Sequence, residues 1–200
     1  MELLALVLFI LSSSGTPGPN NVMLLTSGVN HGFRKSLAHV LGINIGFPVM
    51  VIAVGFGLVT LFRQFPNIYL MIKIIGILYL LFLAYKIAML PVEFTAKEKK
   101  RPFTFMQAAT FQWVNPKAWV MAVSAIIAFT SSASSENTEV FYIAAAYLVF
   151  GLPCSLFWLS MGSGLQTVLK KPTFITWFNR FMALILVLSI VPMIESTIVI

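Results

Sequence analysis

Thr16-Pro17-Gly18-Pro19-Asn20-Asn21 interrupts an otherwise apolar run over residues 3–28. A run of that length is enough to cross the ~30 Å hydrocarbon core of a bilayer as a helix. Two prolines remove two backbone donors and their rings collide with the preceding turn, so no regular helix passes through. Carbonyls freed in this way are costly against lipid, so the break must be buried in protein or line a polar cavity. Asn20 and Asn21 follow where a new half-helix would begin. An asparagine there can cap the helix, and the N–H groups of a helix start suit a carboxylate. The competing reading is a proline kink used only for packing. Double Pro with Gly and double Asn at mid-membrane favours the cavity.

The composition agrees with a membrane chain. Of 200 residues, 59% are hydrophobic and 10% charged, against ~45–50% and ~25% in globular domains. All 6 acids are Glu and no Asp occurs, which removes Asp-dependent triads and metal cages. The single cysteine, Cys154, offers neither an intramolecular disulfide nor metal-ligand spacing. No metal and no cofactor is expected. The net charge of +7 comes from bases placed between apolar runs, so nucleic acid is not an expected partner. No Lys or Arg precedes Arg34, which argues against a cleaved signal.

Six apolar segments separate at about 3–28, 36–62, 67–90, 103–130, 140–165 and 175–194. Each is long enough to span, and none alternates as a strand would. The fold class expected is all-α: a polytopic membrane protein forming one transmembrane domain over residues 1–200. Lys and Arg counts orient it. Arg34, Lys35, Lys86, Lys97, Lys99, Lys100, Arg101, Lys170, Lys171 and Arg180 fall on one side, and only Arg63 on the other. The first side is cytoplasmic on this count, with both termini outside.

A weak repeat underlies the six segments. Asn115-Pro116-Lys117 interrupts segment four much as the first motif interrupts segment one. Gly46-Phe47-Pro48 matches Gly151-Leu152-Pro153, and Lys73-x-x-Gly76 matches Arg180-x-x-Ala183. Halves of about 1–95 and 96–200, three spans each, would run in opposite senses. Inverted repeats with broken helices at matching places point to a secondary transporter; the bland reading is that Gly and Pro are common in membrane helices.

Lys117 stands near the middle of segment four. Fourteen residues of helix rise ~20 Å, so its stem does not reach either surface. An intramembrane ammonium costs at least ~2.5 kcal/mol, which makes Lys117 a functional-site candidate; the alternative is a structural ion pair or a carbonyl-capping lysine. No acid occurs in the first five segments to pair with it, leaving proline-freed carbonyls, a substrate carboxylate, or both in turn. Lys73 lies near the outer end of segment three, with functional and interfacial readings even; Glu195 reads as interfacial. Asn44 is either an interhelical hydrogen bond or a site contact. Gly42-x-x-x-Gly46 permits close helix approach, within the chain or in a homodimer, with the first favoured. His31 and His39 flank the first basic loop and read as ordinary loop or interface residues.

The run 16–21, then His31-Gly32-Phe33-Arg34 and Gly42-x-x-x-Gly46, resembles the lysine exporter (LysE/RhtB) family of bacterial amino-acid exporters. Lys73-x-x-Gly76-x-x-Tyr79-Leu80 and Asn115-Pro116-Lys117-Ala118 are similar to it as well. The resemblance implies a bacterial inner-membrane protein exporting amino acids or close derivatives, driven by the proton-motive force. A related branch exports metal ions with intramembrane acids, which this chain lacks in its first five segments. The expected site comprises Pro17, Gly18, Pro19, Asn20, Asn21, Asn44, Asn115, Pro116 and Lys117, with Lys73 or Lys117 as coupling residues. The partners implied are an amino acid, protons and membrane lipid. An intramembrane enzyme is disfavoured because H-E-x-x-H, G-x-S-x-G and Asp are all missing. A non-transporting subunit of a larger complex is the alternative. The lack of intramembrane acids weakly favours a neutral substrate over lysine or arginine.

Overall fold

Proline, glycine and asparagine set the helix boundaries. The computed structural model describes residues 3–58, 64–89, 101–130, 136–168 and 172–191, all helical or connecting, with no strand among them. The α-helices are α1 (Leu3–Gly15), α2 (Pro19–His31), α3 (Leu37–Ala53), α4 (Pro66–Ala88), α5 (Phe105–Phe111), α6 (Pro116–Phe129), α7 (Glu136–Val168) and α8 (Pro172–Leu188). Pro19, Pro66 and Pro116 each stand in the first turn of a helix, where a missing N–H costs nothing. Pro48 and Pro153 lie inside α3 and α7 without breaking them.

Among the described residues, three stretches are long and apolar enough to cross a bilayer: Arg34–Gly57, Leu70–Ala88 and Thr138–Leu165. The pair α1–α2, bent by 57° at residues 16–18, has the length and composition of a broken span or a re-entrant loop. The helices α6 and α8 are apolar but shorter. The segment over 103–130 is divided at the expected Asn115-Pro116 break: α5, a 3-10 turn over Gln112–Val114, the extended residue Asn115, then α6. Arg63, Lys97, Lys99, Lys100, Lys170, Lys171 and Glu195 lie outside the described residues.

Missing side chains let backbones approach. A Cβ on Gly28 of α2 would sit 2.6 Å from the Leu159 carbonyl of α7. A Cβ on Gly162 of α7 would collide with the Leu25 carbonyl in return. The Gly42-x-x-x-Gly46 face of α3 is occupied within the chain by α5, with a Gly46 Cβ only 2.6 Å from Ala109 Cα. Two cores flank these seams. Leu6, Ile10, Met50, Ala122 and Ile143 join α1, α3, α6 and α7. Leu80, Leu83, Phe111, Met182 and Leu186 join α4, α5 and α8. Leu78, Ile127 and Trp177 point outward, each more than 60% exposed, which suits lipid better than water.

His39 departs from its expected loop or interface position. It is buried on α3, its ring stacked on Phe103 at 5.2 Å between centroids.

Candidate functional site

The two breaks meet, and the carbonyls released at the end of α1 find donors. The final turn of a helix leaves its last C=O groups without intrahelical donors. Ser12 O accepts from Thr16 N at 3.2 Å, and Ser13 O from Thr16 Oγ1 at 3.0 Å. Ser14 O accepts from Asn21 Nδ2 at 2.7 Å, and Thr16 O takes a bond from the same amide at 2.7 Å. Gly15 O accepts from the Trp158 indole of α7 at 3.2 Å. Lys117 completes the set, its Nζ donating to Thr16 O at 2.7 Å, Thr16 Oγ1 at 2.8 Å and Pro17 O at 3.3 Å. An ammonium has three donors, and here each has an acceptor. The cation also lies at the C-terminal, partially negative end of α1. Gly18 lets it in, since a Cβ there would stand 2.6 Å from Lys117 Cδ.

Asn20 and Asn21 do not cap α2 as the sequence suggests. Gly18 is the residue at its N-terminal boundary and supplies no side-chain cap. Asn21 reaches back to α1 instead. Asn20 crosses to the second break, donating to Gln112 Oε1 at 2.8 Å and accepting from Gln112 Nε2 at 3.2 Å. Gln112 Nε2 also donates to Ala108 O at 2.8 Å, and the residue is fully buried. Asn115 does cap its helix, accepting from Lys117 N at 3.1 Å. Pro116 follows as the first residue of α6.

Between the breaks lies a cavity of about 50 Å³, room for one or two waters. Gly18, Asn20, Asn21, Asn44, Asn115 and Lys117 line it. Pro17 and Pro19 bracket Gly18 in the chain, and Pro17 contributes its carbonyl to Lys117. The Asn44 amide donates to Val40 O at 2.9 Å on its own helix. Lys73 lies on α4, which gives the cavity no described residue, and its own side chain is outside the described residues.

Sequence reasoning missed Thr16, Gln112 and Tyr147. Thr16 was within the quoted motif but read only for its neighbours. Gln112 carried a usable signal, an amide three residues before Asn115 in an apolar run. Tyr147 did not: it is one aromatic among many. Its hydroxyl is buried in the cavity wall without a hydrogen-bond partner among the described residues.

Apolar helices long enough to cross a bilayer, with two breaks whose polar groups close on one another, define an α-helical membrane protein. The chain belongs to the LysE type translocator family, whose model matches residues 11–193, so it is a translocator and not an enzyme. It is similar to the cysteine/O-acetylserine efflux protein of Salmonella typhi, 27% identical over 194 residues, covering 96% of this chain and 94% of that one. The protein of the same description from Klebsiella pneumoniae is 29% identical over 161 residues, covering 79% and 80%. That from Escherichia coli K12 is 27% identical over 166 residues, covering 82% and 83%. No solved structure matches the chain.

Proposed function

We propose that this protein exports small neutral amino acids or close derivatives from the cytoplasm by alternating access, with the substrate site between the two helix breaks. The observation that carries this is the Lys117 ammonium held on Thr16 and Pro17 oxygens across those breaks. An α-amino acid is a zwitterion that matches both partners of that contact. Its ammonium replaces the lysine on the freed carbonyls, and its carboxylate takes the lysine that is displaced. Opening the latch thus exchanges hydrogen bonds rather than losing them, so a charged pair need not be left bare in a low-dielectric site. The relatives described as cysteine/O-acetylserine efflux proteins support a small polar substrate.

Two inverted halves, six spans and both termini outside complete the reading, together with a place in the bacterial inner membrane. The proton-motive force drives export, with Lys117 either holding the carboxylate or releasing its proton during the cycle. Any homodimer uses a surface other than the Gly42–Gly46 seam, which α5 fills. The test is reconstitution of the purified chain in liposomes, with flux measured over a panel of amino acids and their decarboxylated amines. Saturable flux of cysteine or O-acetylserine, stimulated by a pH gradient, with no flux of the amines, is expected. A panel without flux overturns the reading of the substrate.

A further inference from the structure

A second pocket, about 390 Å³ in volume, opens among the later turns of α2, His39 of α3, the second half of α4 and the segment 101–107 that leads into α5. It is several times larger than the cavity between the breaks, at about 50 Å³, and falls in the range of small-molecule sites, ~300–1,000 Å³. Lys86 and Arg101 line it, with Thr26, His39, Tyr79 and Phe103, and none of its described lining residues is acidic. Two of its polar groups are buried without hydrogen-bond partners among the described residues. His39 is 1% exposed and neither Nδ1 nor Nε2 has a hydrogen bond; Thr26 is 4% exposed and its Oγ1 has none. A neutral imidazole carries one donor and one acceptor, and leaving both unmet is unfavourable. Stacking on Phe103 fixes the ring, so it does not turn away to find partners.

The pocket is connected to the central cavity by its walls. Thr26 and Asn21 are five residues apart on α2, and His39 and Asn44 five apart on α3. In each pair the first lines the large pocket and the second the central cavity. Five residues of helix rise ~7.5 Å, about the length of a small amino acid.

We infer that this pocket is a loading site, which takes the substrate amino acid by its carboxylate at the basic end before the breaks open to receive it. The inference rests on the export reading above. Lys86 and Arg101 attract the carboxylate, and the Thr26 hydroxyl and one His39 nitrogen are the donors and acceptors that dock the rest. The closed central cavity and the open basic end are then one state of the cycle, with substrate admitted and not yet passed on.

Everted membrane vesicles, which present the cytoplasmic face outward, test it with O-acetylserine as the probe. Lys86→Gln with Arg101→Gln changes only exposed side chains, so folding is not at issue; Thr26→Val probes the buried end. Each is expected to raise KM for uptake about tenfold, with a much smaller change in maximal rate, as lost ground-state binding does. Wild type is expected to prefer the amino acid over its carboxamide as a competitor, and the double variant to lose that preference. Unchanged KM and unchanged preference in vesicles that carry flux overturn the loading site and leave the export reading intact. No flux by the wild type overturns both. Proteoliposomes of phosphatidylcholine with and without phosphatidylglycerol supply the last arm. A KM change seen only with the anionic lipid assigns the pocket to a lipid phosphate and overturns the inference.

Discussion

Lys117 Nζ lies 2.7 Å from the carbonyl oxygen of Thr16, joining two helix breaks that are 101 residues apart in the chain. The contact closes the end of α1 and, in the function proposed above, is the one that an amino acid's two charged groups replace. It depends on Gly18, over which the lysine stem passes.

Gly18→Ala is therefore expected to displace the lysine. The new methyl stands 2.6 Å from Lys117 Cδ, a flexible atom that can shift. The protein should insert and accumulate as wild type does, while transport falls by at least about tenfold, a loss of ~1.4 kcal/mol of binding. Equal flux in the variant and wild type would show that the latch is not used.

The Asn20–Gln112 amide pair links the breaks independently of Lys117. Asn20→Leu strands Oε1 of the fully buried Gln112, whose Nε2 keeps Ala108 O, at about 1–3 kcal/mol, and Gln112→Leu costs less because Asn20 is only half-buried. The double variant should cost no more than the worse single, with a coupling of at least ~0.5 kcal/mol. Thermal unfolding of the four proteins in detergent measures it. Asn20→Leu and Asn21→Leu should also abolish export while leaving the protein in the membrane; normal export would make the break a packing kink.

Much of this was legible in the sequence because the signals were strong against an apolar background. Pro17, Pro19 and Pro116 forced the two breaks, and a mid-segment ammonium at Lys117 demanded a partner. What the sequence did not carry was direction. Asn21 looks like a cap for the helix that follows it, yet its amide turns back to Ser14 and Thr16, because α1 ends with carbonyls in need of donors. Nor did spacing reveal that Asn20 and Gln112 pair across 92 residues; such a contact follows from packing of the halves. His39 was misplaced for the same reason, since burial behind Phe103 comes from a neighbouring segment.

The α2–α7 seam gives a stability test. Gly162→Ala drives a methyl into the Leu25 carbonyl and should destabilise by about 1–3 kcal/mol, as overpacking does. Gly164→Ala, with nothing within 4 Å of its Cβ, should be neutral or stabilising by up to ~1 kcal/mol. Equal melting temperatures for the two variants would mean that the seam is looser than the structure has it.

Orientation is checked with reporters. One that works only in the cytoplasm should be silent after Ile200 and active within residues 96–100. The reverse pattern would invert the chain and place the basic-end pocket on the exit side.

The central claim is that Lys117 and the freed carbonyls hold the substrate, and substrate exchange in proteoliposomes by Lys117→Met tests it most directly. Exchange without a pH gradient needs the binding site but not the driving force, so it separates the two roles open to this lysine. Loss of exchange, with the variant still folded and inserted, is the result the account expects; exchange intact but unresponsive to a pH gradient would make Lys117 a coupling residue instead. Normal, proton-driven transport by Lys117→Met would contradict the account and remove the lysine from the site.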